Sequence, residues 1–478
     1  MDENANVNAA AVNADADPKP KRFGRDLTSG SVPRHLIHLA VPMLLANLLG
    51  TSYNLVDAIW IGRYVGKEAI GAVAVSFPVM FIFIGVAVGA TVATTVLVSQ
   101  FYGARNQAML SKTIGTSFCI TLILGVISAA GGIIAAERIL AVLGTPDTVV
   151  PLAESYLKIT LLSLPVMFMH FLISSVLRGM GDTKTPVYFM FIGVTLNAIL
   201  DPLMIIGIGP FPKMGLDGAA WASLICPIIG LALLVGYLWR KGGALTTGVK
   251  FFSIDAGIAK LIAKIGFPSM IQQTSISFGI AAVTSIVNSF GAAAIAGFGA
   301  GGRIDAVAFL PAQSIGLAVS TLSGQNIGAG RYDRIPLIFK WGVIMTCCIT
   351  VSFAIIFLSI PEILMTPFTT DPEVIEVGKG YLRIAAPAIS FFAVMFVSNG
   401  VINGAGHTFT TLIFTLIAVW GIRIPFATFL SRTDLGVKGV WVSYVIGFSF
   451  TMCISLLWYR SGRWKKAVVK PAVSDAAP

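Results

Sequence analysis

The sequence predicts an all-α polytopic membrane protein, with twelve transmembrane helices in two parallel-repeat lobes of six helices around a central cleft. Three observations support this fold class. The 478-residue chain is 56% hydrophobic and 12% charged, about half the charged share of a soluble protein. Apolar stretches of about 20 residues or more, each able to cross a hydrocarbon core of about 30 Å, recur along nearly the whole chain. The third observation is an internal duplication.

Twelve apolar runs are the predicted spans. In the first half they lie at 35–60, 69–98, 112–135, 151–177, 186–209 and 216–239. In the second half they lie at 263–289, 295–323, 336–360, 380–402, 409–430 and 437–459. The predicted domains are a disordered cytoplasmic tail (1–32), an N-lobe (33–240), a cytoplasmic linker (241–262), a C-lobe (263–462) and a basic cytoplasmic tail (463–478).

The two halves repeat short motifs at one common offset. "YLKI" at Tyr156 returns as "YLRI" at Tyr381, and "GMGDT" at Gly179 returns as "GAGHT" at Gly404, both 225 positions later. "QFYGA" returns as "QNIGA" at the same offset. Such self-similarity indicates a duplicated structural unit. Because each copy holds an even number of spans, we expect both copies to share one orientation, with their pseudo-two-fold axis along the membrane normal.

Basic residues predict the orientation of the chain in the membrane. With both termini inside, the inside segments hold 22 of the 33 Lys and Arg residues and the outside loops hold 9. Cytoplasmic loops carry such an excess of Lys and Arg. We therefore predict a multi-pass protein of the plasma (cytoplasmic) membrane with both termini in the cytoplasm. The formal charge of +11 is attributed to these loops and to anionic lipid rather than to nucleic acid.

No motif of the sequence points to catalysis. No P-loop, HExxH or GxSxG motif occurs, and no aqueous segment is large enough for a nucleotide site. The five cysteines lie in apolar runs without metal-type spacing. We predict a protein that is not an enzyme, has no catalytic or metal site and no cofactor, and draws energy from an H⁺ or Na⁺ gradient.

Two intramembrane acids predict a cation site in the N-lobe. Intramembrane carboxylates are costly and usually face a cavity or a partner. In "TSYNLVD" of span 1, Tyr53 and Asn54 share a helix face with Asp57. In "NAILDPLM" of span 5, Asn197 lies four residues before Asp201. Both acids should lie in the outer half of the membrane, where a shared H⁺ or Na⁺ would relieve their repulsion. The alternative is that they cap broken helices or pair with a buried base.

A third intramembrane acid has a different predicted role. Asp305 lies two residues from Arg303 in "GAGGRID" of span 8. Residues two apart point to different helix faces, so we expect these side chains to form a structural ion pair between spans. The counterpart of Asn197 is Ile422, beside Arg423. The second lobe has therefore lost the acid of the duplicated position and gained a base.

Several polar and soft side chains are candidates to line a substrate cleft. For the amides, packing between helices is an equally good interpretation. For the methionines, a core stripe is the alternative to a surface that accepts varied substrates. The candidates are Gln272, Gln273, Met167, Met169, His170 and Asn399.

Taken together, several segments resemble the multidrug and toxic compound extrusion (MATE) family over residues 33–462. They are "AVPMLLANLLGTSYNLVDAIWIGRYVG", "VSQFYGARN", "VLRGMGDTKTPVYFMFIGVTLNAILDPLMI", "GLDGAAWAS", "SGQNIGAGRYD" and "VINGAGHTFTTLI". The resemblance implies twelve helices in two lobes and export of cationic amphipathic compounds driven by H⁺ or Na⁺ entry.

The resemblance also implies which residues bind the coupling cation. In members with an N-lobe site, an acid in span 1 works with an Asn-xxx-Asp pair in span 5 and a hydroxyl in span 6. Asp57, Asn197, Asp201 and Ser223 match these positions, although the hydroxyl residue is commonly Thr. Another branch of the family has acids in spans 7 and 10. Here Gln273 and Asn399 lie in those neighbourhoods, which favours the N-lobe site.

We therefore expect a monomeric secondary antiporter in contact with membrane lipids, in which cation binding bends span 1 at the hinge Pro42. A flippase for a lipid-linked precursor is an alternative from the same superfamily. That activity would favour a cleft lined with bases, and only Arg303 and Arg423 are intramembrane bases. A passive channel or receptor is a third alternative, against which the duplication and the single asymmetric acid site argue.

Overall fold

The computed structural model describes residues 24–241 and 252–465. Most of the predicted cytoplasmic tails, and much of the predicted linker 241–262, lie outside the described residues. Every regular element within the described ranges is helical. The predicted all-helical fold is therefore confirmed for this part of the chain.

The N-terminal half forms seven helices. They are α1 (Val32–Tyr64), α2 (Lys67–Gly103), α3 (Gln107–Val142), α4 (Val150–Leu162), α5 (Leu164–Gly179), α6 (Lys184–Ile206) and α7 (Leu216–Arg240). The helices α4 and α5 meet at an angle of 41°. Pro165 lies in the first turn of α5, where its missing N–H leaves the carbonyl of Leu161 without a helical bond. The bent pair is the predicted fourth span.

The C-terminal half repeats the order of the six spans but breaks its helices at different places. Its helices are α8 (Ala256–Asn288), α9 (Ala292–Gly328), α10 (Ile335–Ser359), α11 (Pro361–Met365), α12 (Pro372–Gly404), α13 (Thr408–Leu416), α14 (Ile424–Leu430) and α15 (Val437–Arg460). Short 3₁₀ turns lie at Tyr332–Arg334 and Arg463–Lys465. A π-helical segment, Ile417–Arg423, joins α13 to α14 within one span.

The helix count agrees with the predicted twelve spans. In the described residues, eleven helices or continuous helical runs are long and apolar enough to cross a membrane, and the bent pair α4–α5 makes twelve. The helix α2 has 37 residues, about 55 Å at 1.5 Å per residue. It is thus longer than a hydrocarbon core of about 30 Å, so its ends extend beyond the apolar layer.

The two lobes are joined at the end of the bundle that the sequence predicts to be cytoplasmic. Nearly every residue from Gly89 to Gly103 of α2 is buried, and most residues from Pro311 to Ile327 of α9 are buried. In the preceding halves of both helices, buried and exposed positions alternate. Close packing between the lobes is therefore concentrated in one half of the bundle.

A reciprocal pair of hydrogen bonds fastens this end. Gln100 Nε2 of α2 donates to the carbonyl of Gly404 at 2.7 Å. Gln325 Nε2 of α9 donates to the carbonyl of Gly179 at 2.9 Å. The two glutamines are repeat counterparts, and so are the two glycines, since each pair is 225 positions apart. We call these two bonds the glutamine lock.

Residues 24–31 belong to the predicted disordered tail, but they pack against both lobes, and we call them the strap. Arg25 N donates to the carbonyl of Met180 in the N-lobe at 2.8 Å. Leu27 is 0% exposed, and its N–H donates to Gln325 Oε1 at 3.1 Å. Asn326 Nδ2 donates to the carbonyl of Leu27 at 3.2 Å. The strap therefore bridges the lobes beside the glutamine lock.

Candidate functional site

The two predicted N-lobe acids lie together inside the membrane-spanning part of the lobe. Asp57 lies near the end of α1 and Asp201 near the end of α6, and these helices pack along each other. Asp57 is 8% exposed and Asp201 is 0% exposed. Their carboxyl groups lie close enough to interact directly. The structure therefore brings these two predicted side chains together, and their role as a cation site stays a prediction.

Asn197 positions one of the two carboxyl groups. Its Nδ2 donates to Asp201 Oδ1 at 3.0 Å across one helical turn. Asp57 Oδ1 and Asp201 Oδ2 are buried, and no protein donor in the described part of the chain bonds them. Two unit charges about 4 Å apart repel by about 4 kcal/mol at an effective dielectric of 20. A proton or cation shared by the carboxyl groups removes this repulsion.

Hydroxyl groups form the next layer of the site. The Tyr53 hydroxyl and the Ser223 hydroxyl are 2.7 Å apart, which joins α1 to α7. Tyr53 also lies within electrostatic reach of Asp57. Asn54 does not join the site, because its side chain is exposed and its Nδ2 donates to the carbonyl of Gly50 at 2.9 Å. The predicted role of Asn54 beside Asp57 is thus wrong.

Two further residues of the site were not identified from the sequence. The buried Tyr156 of α4 lies within electrostatic reach of both acids. In the sequence, only the repeated motif "YLKI" distinguishes Tyr156. Cys226 of α7 is buried, and its thiol neighbours Asn197. Nothing in the spacing of the cysteines distinguishes Cys226 from the other four, so only the helix packing places it here.

The comparisons with known proteins identify the family. A family model described as MatE matches residues 42–203 and 268–429, one match in each lobe. The chain belongs to the MATE family. It is 34% identical over 444 residues to YpnP of Bacillus subtilis, described as a probable multidrug resistance protein, which covers 92% of this chain and 97% of that one.

Two further matches extend the comparison. YoeA of Bacillus subtilis, also described as a probable multidrug resistance protein, is 31% identical over 440 residues, covering 91% of this chain and 95% of that one. A solved structure described as the outward-facing conformation of a multidrug resistance MATE family transporter aligns with a TM-score of 0.85 and 24% identity. It covers 93% of this chain and 98% of that one. The MATE fold of two repeat lobes is therefore shown.

Several candidates for the cleft of this MATE protein pack within or between helices instead. Met169 is buried among the N-lobe core residues, and Met167 packs against a neighbouring core cluster. Gln272 Nε2 donates to Thr415 Oγ1 at 2.8 Å. Asn399 Oδ1 accepts from Ser455 Oγ at 3.0 Å. These contacts favour the packing interpretation, and for Met169 the prediction of a cleft position is wrong.

The two remaining cleft candidates are His170 and Gln273. His170 is half-buried on α5. The Gln273 side chain of α8 reaches α2, since a Cβ atom on Gly85 would lie 3.4 Å from its Cγ. Gln273 therefore lies at the boundary between the lobes.

Among the described residues, neither Arg303 nor Asp305 forms the predicted structural ion pair between spans. Arg303 is exposed and Asp305 is buried, as two residues on opposite helix faces should be. Asp305 instead accepts hydrogen bonds from Tyr381 and Tyr444. The sequence could not show these partners, because they are 76 and 139 residues away along the chain.

The predicted hinge has a bond that compensates for its proline. Pro42 lies inside α1, which is one helix in this structure. A proline has no N–H, so the carbonyl of His38 has no helical donor. Thr183 Oγ1, at the start of α6, donates to this carbonyl at 3.3 Å. The helix that carries Asp201 is thereby attached to α1 at the hinge.

Proposed function

We propose that this MATE protein is a secondary active antiporter of the plasma membrane, with both termini in the cytoplasm. It exports cationic amphipathic drugs or metabolites in exchange for H⁺ or Na⁺, and acts as a monomer. One observation carries the proposal, namely the contact between the buried carboxyl groups of Asp57 and Asp201 in only one of the two lobes. The similarity to multidrug resistance proteins supports the class of substrate.

In the proposed cycle, the charge of the acid pair is the switch. With the pair deprotonated, mutual repulsion and desolvation destabilise the packing of α1 on α6. Entry of H⁺ or Na⁺ neutralises the pair and allows α1 to bend near Pro42. Since α6 touches α1 both at this pair and through Thr183 at the hinge, the two changes are mechanically linked. The altered N-lobe cavity then releases the substrate.

The two lobes alternate access by rocking. The packing of the lobes at the predicted cytoplasmic end supports an outward-open state, with the glutamine lock and the strap closing the inner end. Opening to the cytoplasm breaks these contacts. A flippase for a lipid-linked precursor is not favoured, because Arg303 is exposed and Arg423 lies against the ring of Tyr444.

The test is transport by the purified protein in proteoliposomes, with ethidium as the cationic probe and with pH and Na⁺ gradients imposed separately. Asp57→Asn and Asp201→Asn should abolish gradient-driven ethidium transport. Asp147→Asn is the matched control, since it removes an exposed carboxylate from a loop of the same lobe. Wild-type transport by both acid variants would overturn the proposal. The gradient, pH or Na⁺, that drives ethidium transport identifies the coupling ion.

A further inference from the structure

The C-lobe contains a buried acid for which the proposed cycle has no role. Asp305 of α9 is 2% exposed. One of its oxygens, Oδ2, accepts from the Tyr381 hydroxyl of α12 at 2.8 Å and from the Tyr444 hydroxyl of α15 at 2.6 Å. The other oxygen, Oδ1, is buried without a donor among the described residues. Only one of the two carboxyl oxygens therefore has hydrogen-bond donors.

A base lies behind one of the two tyrosines. The guanidinium carbon of Arg423 is 4.7 Å from the ring centroid of Tyr444. Arg423 ends the π-helical segment Ile417–Arg423, and such segments are frequent at functional sites. Its Nε is buried without a partner in the described part of the chain. Gly447 allows the close approach, since a Cβ atom there would lie 3.3 Å from Arg423 Cβ.

The duplication places the same tyrosine beside an acid in each lobe. Tyr381 is the repeat counterpart of Tyr156, which lies within electrostatic reach of Asp57 and Asp201. The acids are not counterparts, because those of the N-lobe come from the first and fifth spans and Asp305 comes from the eighth. Each lobe has thus kept the tyrosine and supplied a buried acid from a different helix.

The contacts of Asp305 distinguish a proton site from a structural carboxylate. A carboxylate buried permanently in its charged form needs donors on both oxygens to offset desolvation. Here both donors bind Oδ2, and Arg423 faces the tyrosine ring rather than the carboxyl group. A proton on Oδ1 would complete the group. The nearby guanidinium opposes a metal cation, which brings a full charge and needs several oxygen ligands.

We propose that Asp305, held by Tyr381 and Tyr444, is a second proton-binding site of this transporter, in the C-lobe. The titratable and charged groups that face Asp305 are these two tyrosines, from α12 and α15, and Arg423 from the π-helical segment. Within the described residues, α1, α2, α5, α8, α10 and α11 also pack on α9 and add no charged group at this point.

Proton uptake changes the charge of the cluster. With Asp305 ionised, its charge balances that of Arg423, and the cluster is neutral. With Asp305 protonated, the cluster carries one positive charge, and Arg423 loses its counter-charge. Arg423 belongs to the span that contains the π-helical segment, so this change of charge acts on that span of the C-lobe. A role in coupling rests on the proposed antiport, whereas proton binding by Asp305 does not.

The experiment is infrared difference spectroscopy of the full-length protein in lipid nanodiscs, titrated with pH. The background is the double variant Asp57→Asn, Asp201→Asn, which removes the N-lobe signal. The other 19 Asp and Glu residues of the chain also titrate, so the signal of interest is the carboxylic C=O band that is present in this background and disappears when Asp305→Asn is added. Asp434→Asn, which changes an exposed acid of the same lobe, should leave the band unchanged.

The tyrosines provide a test that a merely structural role would not pass. Tyr381→Phe and Tyr444→Phe each remove a hydrogen bond to the charged form, so each should raise the titration midpoint by about one pH unit or more. Asp305→Glu should shift the band frequency, which keeps the test valid if Asp305→Asn fails to fold. Absence of a titrating band that depends on residue 305 would overturn the proposal. Loss of the band on addition of Na⁺ would overturn the choice of a proton.

The spectra do not depend on transport. If the wild-type protein moves no ethidium in either gradient, the antiport proposal fails while the band still decides whether Asp305 binds a proton. If antiport is found, Asp305→Asn should reduce the number of protons moved per ethidium ion without abolishing transport.

Discussion

Replacing Gln325 with alanine should open the predicted cytoplasmic end of the bundle. The side chain is 0% exposed and makes two hydrogen bonds between elements, one to the carbonyl of Gly179 and one from Leu27 N. Leaving a buried partner unsatisfied costs about 1–3 kcal/mol. The closed state should therefore become about 2–6 kcal/mol less stable relative to the open state, because water can bond the same groups once the end is open. At about 1.4 kcal/mol per factor of ten, the population ratio shifts by at least about 30-fold.

The duplication supplies the matched variant. Gln100→Ala removes the equivalent bond, to the carbonyl of Gly404, but Gln100 Oε1 has no partner among the described residues. The cost should therefore be about half as large, about 1–3 kcal/mol. The difference between the two variants measures the contribution of the strap to the closed end.

The assay is pulsed electron spin resonance in nanodiscs, with labels on cysteines introduced at the exposed positions Gln107 and Asp333. The five native cysteines are first replaced. We expect a longer-distance population that grows in the order wild type, Gln100→Ala, Gln325→Ala. An equal or larger effect of Gln100→Ala would refute the assignment of the extra bond to the strap.

Two further results are expected from the same end of the molecule. Leu27→Asp puts a charge into the fully buried position that Asn326 helps to hold, so it should increase the open population at least as much as Gln325→Ala does. Asp255→Ala removes the carboxylate that bonds Lys112 and the N–H of Ile258. The pKa of Asp255 is lowered mainly by Lys112, so its stabilising effect is present above the usual Asp range and is lost as pH falls through the folded value. Melting temperatures in detergent should differ at neutral pH and converge in acid.

The sequence predicts the N-lobe acid pair because helical periodicity and the orientation of the spans together place its residues. Asn197 and Asp201 are four residues apart, so helical geometry alone puts them in contact. Span orientation then places Asp57 at the same depth. The same rule gives the wrong result for Asn54, because residues three apart on a helix, such as Asn54 and Asp57, differ in direction by about 60°. Its side chain turns away and bonds the backbone of its own helix instead.

The partners of Asp305 show what helical periodicity cannot supply. Arg303 is close in the chain and carries the opposite charge, yet it lies on the other face of α9 and is exposed. The true partners, Tyr381 and Tyr444, come from helices that meet α9 only through the packing of the lobe. The sequence shows that Asp305 is an acid within a span. Which distant hydroxyl groups bind it depends on how the helices pack, and local sequence patterns do not predict that packing.

The glutamine lock was visible in the sequence only as a repeated motif, and its function follows from symmetry. A duplicated protein with a pseudo-two-fold axis can join its lobes by one contact used twice, and Gln100 and Gln325 do this. Within the described residues the strap contact is made only once, because Gln325 Oε1 accepts from Leu27 N whereas Gln100 Oε1 has no partner. The strap binds beside Gln325, where Asn326 Nδ2 donates to the carbonyl of Leu27. The counterpart of Asn326 is Phe101, which offers no donor. The asymmetry of the closed end is therefore encoded at these two positions, and Asn326→Phe should release the strap while leaving both glutamine bonds intact.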